Sequence, residues 1–241
     1  VVPGASAGQV SSAQVGEALY QTARFFETGL ILLLAPALTF ASISGEKEHQ
    51  TLDLLMATPL SAAEVVRGKL LAALAYLGLL ITGVVPVMSL AFTVGGVSWQ
   101  ELVRSQFLIL VSGLSLASVG LWASAHARYS GRAAVIAYGA AGFLCFAPAM
   151  FMRVGPFPAY VSPIVLPLVF EGVGGLVTIG SGDPLAKVFA LLTQGLVIVT
   201  FWHWATQAMP GPRRTRNRAM TAFLVLAWIL MFLILPRLSG A

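Results

Sequence analysis

The sequence predicts an all-α fold, a polytopic membrane helix bundle of about six spans with a cytoplasmic elbow of two short helices and an outer re-entrant hairpin. Three observations carry this. The chain of 241 residues is 58% hydrophobic and 10% charged, with a mean hydropathy of +0.87, whereas a soluble domain has roughly 25% charged residues to face water. Six apolar stretches reach or approach the ~20 residues that a spanning helix needs. The basic residues fall mainly in the linkers between those stretches, as they do in cytoplasmic loops.

The same numbers exclude other classes. Intrinsic disorder needs low hydrophobicity and high charge. The excess of 14 Lys and Arg over 9 Asp and Glu gives a net charge of +5, which in a soluble protein would raise nucleic acid as a partner. Here the topology bias explains it, and the expected surroundings are the lipid bilayer with no nucleic acid. Cys145 is the single cysteine, so the chain has neither a disulfide framework nor a cysteine-based metal site.

In chain order, residues 1–24 read as an external leading segment and 25–206 as the transmembrane domain. The spans are expected near 25–43, 70–94, 104–126, 133–152 and 186–206, with a further one at 220–236. Arg24 and Glu27 mark the edge of the first. If that span runs from outside to inside, the inner linkers hold Lys47, Arg67, Lys69, Arg128, Arg132, Arg213, Arg214, Arg216 and Arg218. That is nine of the fourteen basic residues, and it places Val1 outside; the expected location is the inner (plasma) membrane. An outside start becomes natural if one more span precedes Val1. The stretch 153–184 is broken by Pro and Gly yet apolar, as in 163–170 between Pro163 and Phe170. It suits a re-entrant hairpin, because irregular backbone at membrane depth must be covered by protein. Residues 207–241 comprise a basic cytoplasmic linker and the additional C-terminal span.

The loop 44–69 is the most informative part of the chain. It carries four of the nine acids, Glu46, Glu48, Asp53 and Glu64. Residues 46–58 read as one amphipathic helix, with Leu52, Leu55 and Met56 at helical spacing and Glu46, Glu48 and Asp53 in its early turns, where the dipole favours anions. Pro59 ends it, since the residue before a proline is pushed out of the helical region. Ser61 and Glu64 then form an S-x-x-E capping box, flanked by Leu60 and Val65 at staple positions, and the second helix runs through Arg67 and Lys69, which mark the membrane boundary, into the span from Leu70. The acid content opposes a helix resting on anionic headgroups, which is usually basic, and favours docking of a soluble protein.

The segment Ser44-Gly-Glu-Lys-Glu-His-Gln-Thr-Leu-Asp-Leu-Leu-Met-Ala-Thr-Pro-Leu-Ser61, followed by Glu64-Val-Val-Arg-Gly-Lys69, resembles the cytoplasmic loop of ABC-2 type transporter permeases. That family pattern is an acidic E-x-E, then G-T-L-E-x-L-L-x-T-P-L-S, a hydrophobic pair and G-K. Glu46, Glu48, Thr51, Leu52, Leu54, Leu55, Thr58, Pro59, Leu60, Ser61, Gly68 and Lys69 match it. Asp53 replaces the usual Glu, and Gln50 stands where the family commonly has Gly. The resemblance implies a six-helix permease half of an exporter, with its first helix upstream of Val1, paired with a second permease subunit. It also implies that 44–69 is a coupling element on a separate ABC ATPase subunit. Glu46, Glu48, Thr51, Leu52, Asp53, Leu55, Met56, Pro59, Ser61 and Glu64 would then contact that subunit, which would bind ATP and Mg.

The rest of the chain shows little chemistry. A proton- or sodium-driven carrier would need ionisable groups at membrane depth, and the spans are nearly free of them. No G-x-x-x-x-G-K-S/T loop is present, so no ATPase is expected in this chain. His49, His126 and His203 are too scattered for a metal site, His126 and His203 read as interfacial histidines near cytoplasmic span ends, and Ser112-Gly-Leu-Ser115 is not a nucleophile elbow. No cofactor is expected here. Gly113 and Ala117, Gly120 and Ser124, and Gly139 and Ala140 with Gly142, read as close helix packing, with a dimer seam or a path lined by small side chains as the second reading. Pro36, Pro86 and Pro148 interrupt spans. The second reading of the acidic loop is a non-transporting scaffold or assembly factor that recruits another soluble protein.

Overall fold

The computed structural model describes residues 12–95, 97–150, 184–209 and 218–238. Among them there are eight helices and no strand: α1 (Ser12–Phe40), α2 (Ser44–Glu48), α3 (Leu52–Met56), α4 (Ala62–Val94), α5 (Trp99–His126), α6 (Ser130–Met150), α7 (Pro184–Ala208) and α8 (Arg218–Leu238). Six are long, in the order and near the places that hydropathy predicts. Ser12–Glu48, Ala62–Val94 and Trp99–His126 are long and apolar enough to cross a membrane, and Ser130–Phe146 and Arg218–Met231 are shorter apolar stretches. The chain is a multi-pass membrane protein. The expected hairpin at 153–184 lies outside the described residues except for Pro184, which opens α7, and the basic linker at 210–217 also lies outside them.

Helix α5 is the axis of the bundle. It is the most buried of the three clear spans, and α1, α4, α6 and α7 all pack against it. Its small residues are the reason on the α1 side. A Cβ added to Gly120 would lie 2.2 Å from Thr39 Oγ1 and 2.9 Å from the Pro36 carbonyl, and one added to Gly113 would lie 2.9 Å from Ile31 Cγ2. Only glycine lets the two backbones come this close, which is how helices associate where lipid tails are as apolar as leucine. Ala117 continues the same strip, fully buried against α1 and α4 in a core with Ile31, Ala35, Leu77 and Ile109. Gly139 and Gly142 on α6, expected to pack in the same way, have nothing within 4 Å of an added Cβ. They face outward because the inner face of α6 is formed by Ala133, Ala137, Ala141 and Cys145.

Pairing along α5 fixes the helix directions. Ile31, Thr39 and Ile43 meet successively later positions of α5, Gly113, Gly120 and Ser124, so α1 and α5 run in parallel. Helix α4 runs against them: Val65 and Val66 pack with Leu121 and Ala125 at one end, and Met88 and Ala91 with Leu102 and Tyr20 at the other. Helix α6 also opposes α1, with Tyr138 donating to the Leu33 carbonyl at 2.8 Å.

The first helix starts at Ser12, so residues 12–24, expected as a leading segment, continue into the bundle. Arg24 and Glu27 were expected to limit the span because they break the apolar run. Both are buried on the inner face of α1 instead. Arg24 lies over the Tyr20 ring, 5.5 Å from its centroid, and Glu27 accepts from Gln106 Nε2 at 3.2 Å. Hydrogen bonding to neighbours lets polar groups enter a helix interface that composition alone would close to them.

At the far end of the chain, α8 is attached to α7 by polar contacts. His203, expected as an interfacial histidine, is buried. Its Nε2 lies 3.1 Å from Thr221 Oγ1 and 2.7 Å from Gln207 Nε2, while Trp228 Nε1 donates to Thr200 Oγ1 at 3.2 Å.

Replacing Gly120 with Ala is expected to destabilise the folded protein by about 1–3 kcal/mol through overpacking against α1. Gly139→Ala, into open space, is expected to leave stability unchanged. Thermal melting of the two variants in detergent checks both.

Candidate functional site

The elbow at residues 41–69 is built from three short-range devices. The first is the capping box that opens α4: Ser61 Oγ accepts from Glu64 N–H, and the Glu64 carboxylate accepts from Ser61 N–H at 2.7 Å. This is the box that the S-x-x-E signature predicts. The staple does not accompany it, since Val65 is buried and Leu60 is 48% exposed.

The second device divides the single helix expected over 46–58 into α2 and α3. Gln50 has φ 58, Thr51 N–H donates to the Glu46 carbonyl at 2.9 Å and Gln50 N–H to the Lys47 carbonyl at 3.3 Å. This is a Schellman turn with Gln50 at the left-handed position that favours glycine. The periodicity of Leu52, Leu55 and Met56 says nothing about a break upstream of them. The Gln50 departure was its only sign in the sequence.

The third device is Pro59, which ends the α3 turn and redirects the chain into Ser61. A second S-x-x-E box, Ser98 with Glu101, opens α5 in the same way. The same signature was there to be read in Ser98-Trp-Gln-Glu101.

Side chains then tie α2 to its neighbours. Ser124 Oγ on α5 accepts from the Ile43 and Ser44 N–H groups at 2.8 and 2.9 Å. Lys47 Nζ donates to the Ala125 carbonyl and, at 3.2 Å, to that of Ala127. Glu48 Oε2 accepts from Ser130 N–H at 3.1 Å and from Ser130 Oγ–H at 2.9 Å. Glu46 pairs with Lys69 at 2.7 Å, and Lys69 also donates to the Ser42 carbonyl at 2.6 Å. Burial holds the Lys47 ammonium below its ordinary pKa. The Ser130 donors hold the Glu48 carboxyl below its ordinary value, and the Ser61 donors do the same for Glu64.

The predicted site residues therefore divide into two groups. Glu46 and Glu48, expected to face a partner, are engaged within the chain. Lys69, expected to mark the membrane boundary, joins α4 to α2 by its ion pair. Leu52 is buried, and Leu55 and Met56 are half-buried against Ile43, Val65, Val66, Leu121, Ala205 and Met209. Thr51, Asp53, Pro59, Ser61 and Glu64 are exposed, together with Leu54 at 73% and Leu60. Sequence reasoning missed the inward-directed contacts because their partners lie on other helices, 23 positions away at Lys69 on α4 and about 80 positions away around the α5–α6 turn. Arg67 sits over the Trp202 ring at 5.8 Å, and Trp202 packs beside the Trp122, Phe201 and Trp204 cluster. Among the described residues no group of three His, Cys, Asp or Glu is placed to hold a metal.

The fold is thus a multi-pass helix bundle with a proline elbow packed on the helices at one end. The chain belongs to the ABC-2 family of transporter proteins, whose family model matches residues 4–239. Comparison with curated protein sequences gave no match.

Two outcomes follow, from the turn at Gln50 and from the contact of Glu48 with Ser130. Gln50→Gly is expected to stabilise the protein by about 0.5–1 kcal/mol, since the left-handed region costs a residue with a Cβ roughly 1–2 kcal/mol and glycine's extra chain entropy returns part of it; Gln50→Val is expected to destabilise it. The Glu48 pKa lies below the ordinary 4.5, so its stabilisation is present above pH 4.5 and lost as pH falls through the lower folded value. Melting temperature is therefore expected to fall more steeply below pH 4.5 in the wild type than in Glu48→Gln.

Proposed function

We propose that this permease subunit belongs to an ABC exporter of the inner (plasma) membrane, with the elbow in the cytoplasm and the first residue outside. A separate ATPase subunit, which binds ATP and Mg, docks on the elbow, and a second permease subunit completes the pathway. Family membership supports the transporter class. The observation that carries the docking surface is the unused outer strip of the elbow, where Asp53, Leu54, Thr58, Pro59, Leu60 and Glu64 are exposed while every neighbouring apolar side chain of α3 packs inward. Leu54 and Leu60 supply an apolar contact, and Asp53 and Glu64 give the strip a negative charge that suits basic residues on the partner.

On this reading the docking role narrows to the exposed residues. Glu46, Glu48, Leu52, Leu55 and Met56 hold the elbow in place. The drive comes from the partner: closure of the ATPases presses on α3 and, through the rigid capping box at Ser61 and Glu64, tilts α4.

The test is recovery of the tagged protein from mild detergent, with an ATPase assay on the eluate. A stoichiometric Walker-A protein is expected. Its recovery is expected to fall about tenfold or more, equivalent to about 1.4 kcal/mol of binding energy, in Asp53→Arg with Leu54→Asp. An intact protein that brings down no ATPase, or a different soluble protein in its place, would favour the scaffold reading.

A further inference from the structure

Helices α4 and α1 are joined to the elbow by the chain itself, but α6 is not. Helix α5 ends at His126 and α6 begins at Ser130, and this tight turn rests on α2. The two adjacent charged residues of α2 grip its two sides. The Lys47 ammonium lies on the carbonyl of Ala125, in the last turn of α5, and on that of Ala127, the residue that caps it, where the helix end is partially negative. The Glu48 carboxylate takes both donors of Ser130 at the partially positive start of α6. Each charge matches the dipole end it faces and satisfies backbone groups that a helix end leaves open. Ser124 adds a third link, binding the start of α2 to α5. Contacts of this kind are directional, so they transmit displacement in a way that sliding apolar surfaces do not.

We propose that Lys47 and Glu48 are positioning residues forming a clasp that makes the α5–α6 turn move with α2, so that displacement of the elbow reaches α6 as well as α4. The inference rests on the docking reading above and assigns it a second output. Reversing the clasp leaves the net charge and the composition of the loop unchanged while setting both charges against the dipoles they face.

The experiment uses the complex with its copurified ATPase, in a Cys145→Ala background that leaves this chain without a native thiol. Spin-label pairs report α6 relative to α8 (Val135→Cys with Phe223→Cys) and α4 relative to α8 (Leu79→Cys with Phe223→Cys). These three positions are exposed. Distances are measured without nucleotide and trapped with ATP and vanadate. In the wild type both distances are expected to change. In Lys47→Glu with Glu48→Lys, the α4 change is expected to persist and the α6 change to fall to less than half. If the exchange fails to reach the membrane, Lys47→Met with Glu48→Gln, which removes both charges at similar length, is read in its place with the same expectation.

A merely stabilising role would not separate the two distances. An unreduced α6 change in the variants, or a wild type in which α4 moves and α6 does not, would overturn the clasp and leave docking intact. Absence of any nucleotide-driven change at α4 in the wild type would overturn the docking reading together with the clasp.

Discussion

The elbow depends on one requirement, that the backbone groups left open at the helix ends gathered there find polar partners. Four helix ends converge around the five residues of α2: the end of α1, the end of α5, the start of α6 and the start of α4. Near a bilayer the hydrophobic effect gives little direction to helix association, so apolar packing alone would let such a short helix slide. The hydroxyl of Ser124, the Lys47 and Lys69 ammoniums and the Glu48 carboxylate supply the missing partners, and each comes from a different direction. Losing one of them leaves an unsatisfied group that costs more than the bond itself is worth. The position of α3, and hence of the surface it presents, follows from this anchoring.

A division of labour results. Helix α2 is committed inward by its charges, and α3 is committed inward by Leu52, Leu55 and Met56. What remains outward is a narrow strip whose ends are fixed by the Schellman turn at Gln50 and the capping box at Ser61. A strip held at both ends is suited to receiving force, because it cannot absorb it by local rearrangement. The glycine-mediated approach of α1 to α5 extends the rigid region into the bundle, from Ile43 and Ser124 at the elbow to Ile31 and Gly113.

Much of this was legible in the residues. Hydropathy located the six long helices, the S-x-x-E signature gave the Ser61 box, and Gly113 and Gly120 announced close packing. What stayed hidden was long-range. Glu46 and Glu48 look like a solvated acidic face until Lys69 and Ser130 are brought beside them. Arg24 and Glu27 look like a span boundary until Gln106 and Tyr20 receive them, and His203 looks interfacial until Thr221 closes on it. Periodicity and composition register a residue's chemistry but not its partner, so the charged and polar side chains that were misplaced are those with a partner on another element. The split at Gln50 had a local cause, and it was hard to read because glutamine at a left-handed position is unfavourable and therefore unexpected.

The central claim is that the outer strip of the elbow receives an ATPase. The most direct measurement is site-specific photo-crosslinking in intact cells, with the photoreactive residue at Leu54 or Leu60 and, as a control, at the outward-facing Gly139 of α6. The account requires a crosslink from both elbow positions to one Walker-A protein and none from Gly139. Crosslinks from Leu54 and Leu60 only to lipid, or to a protein without a nucleotide-binding loop, would contradict it.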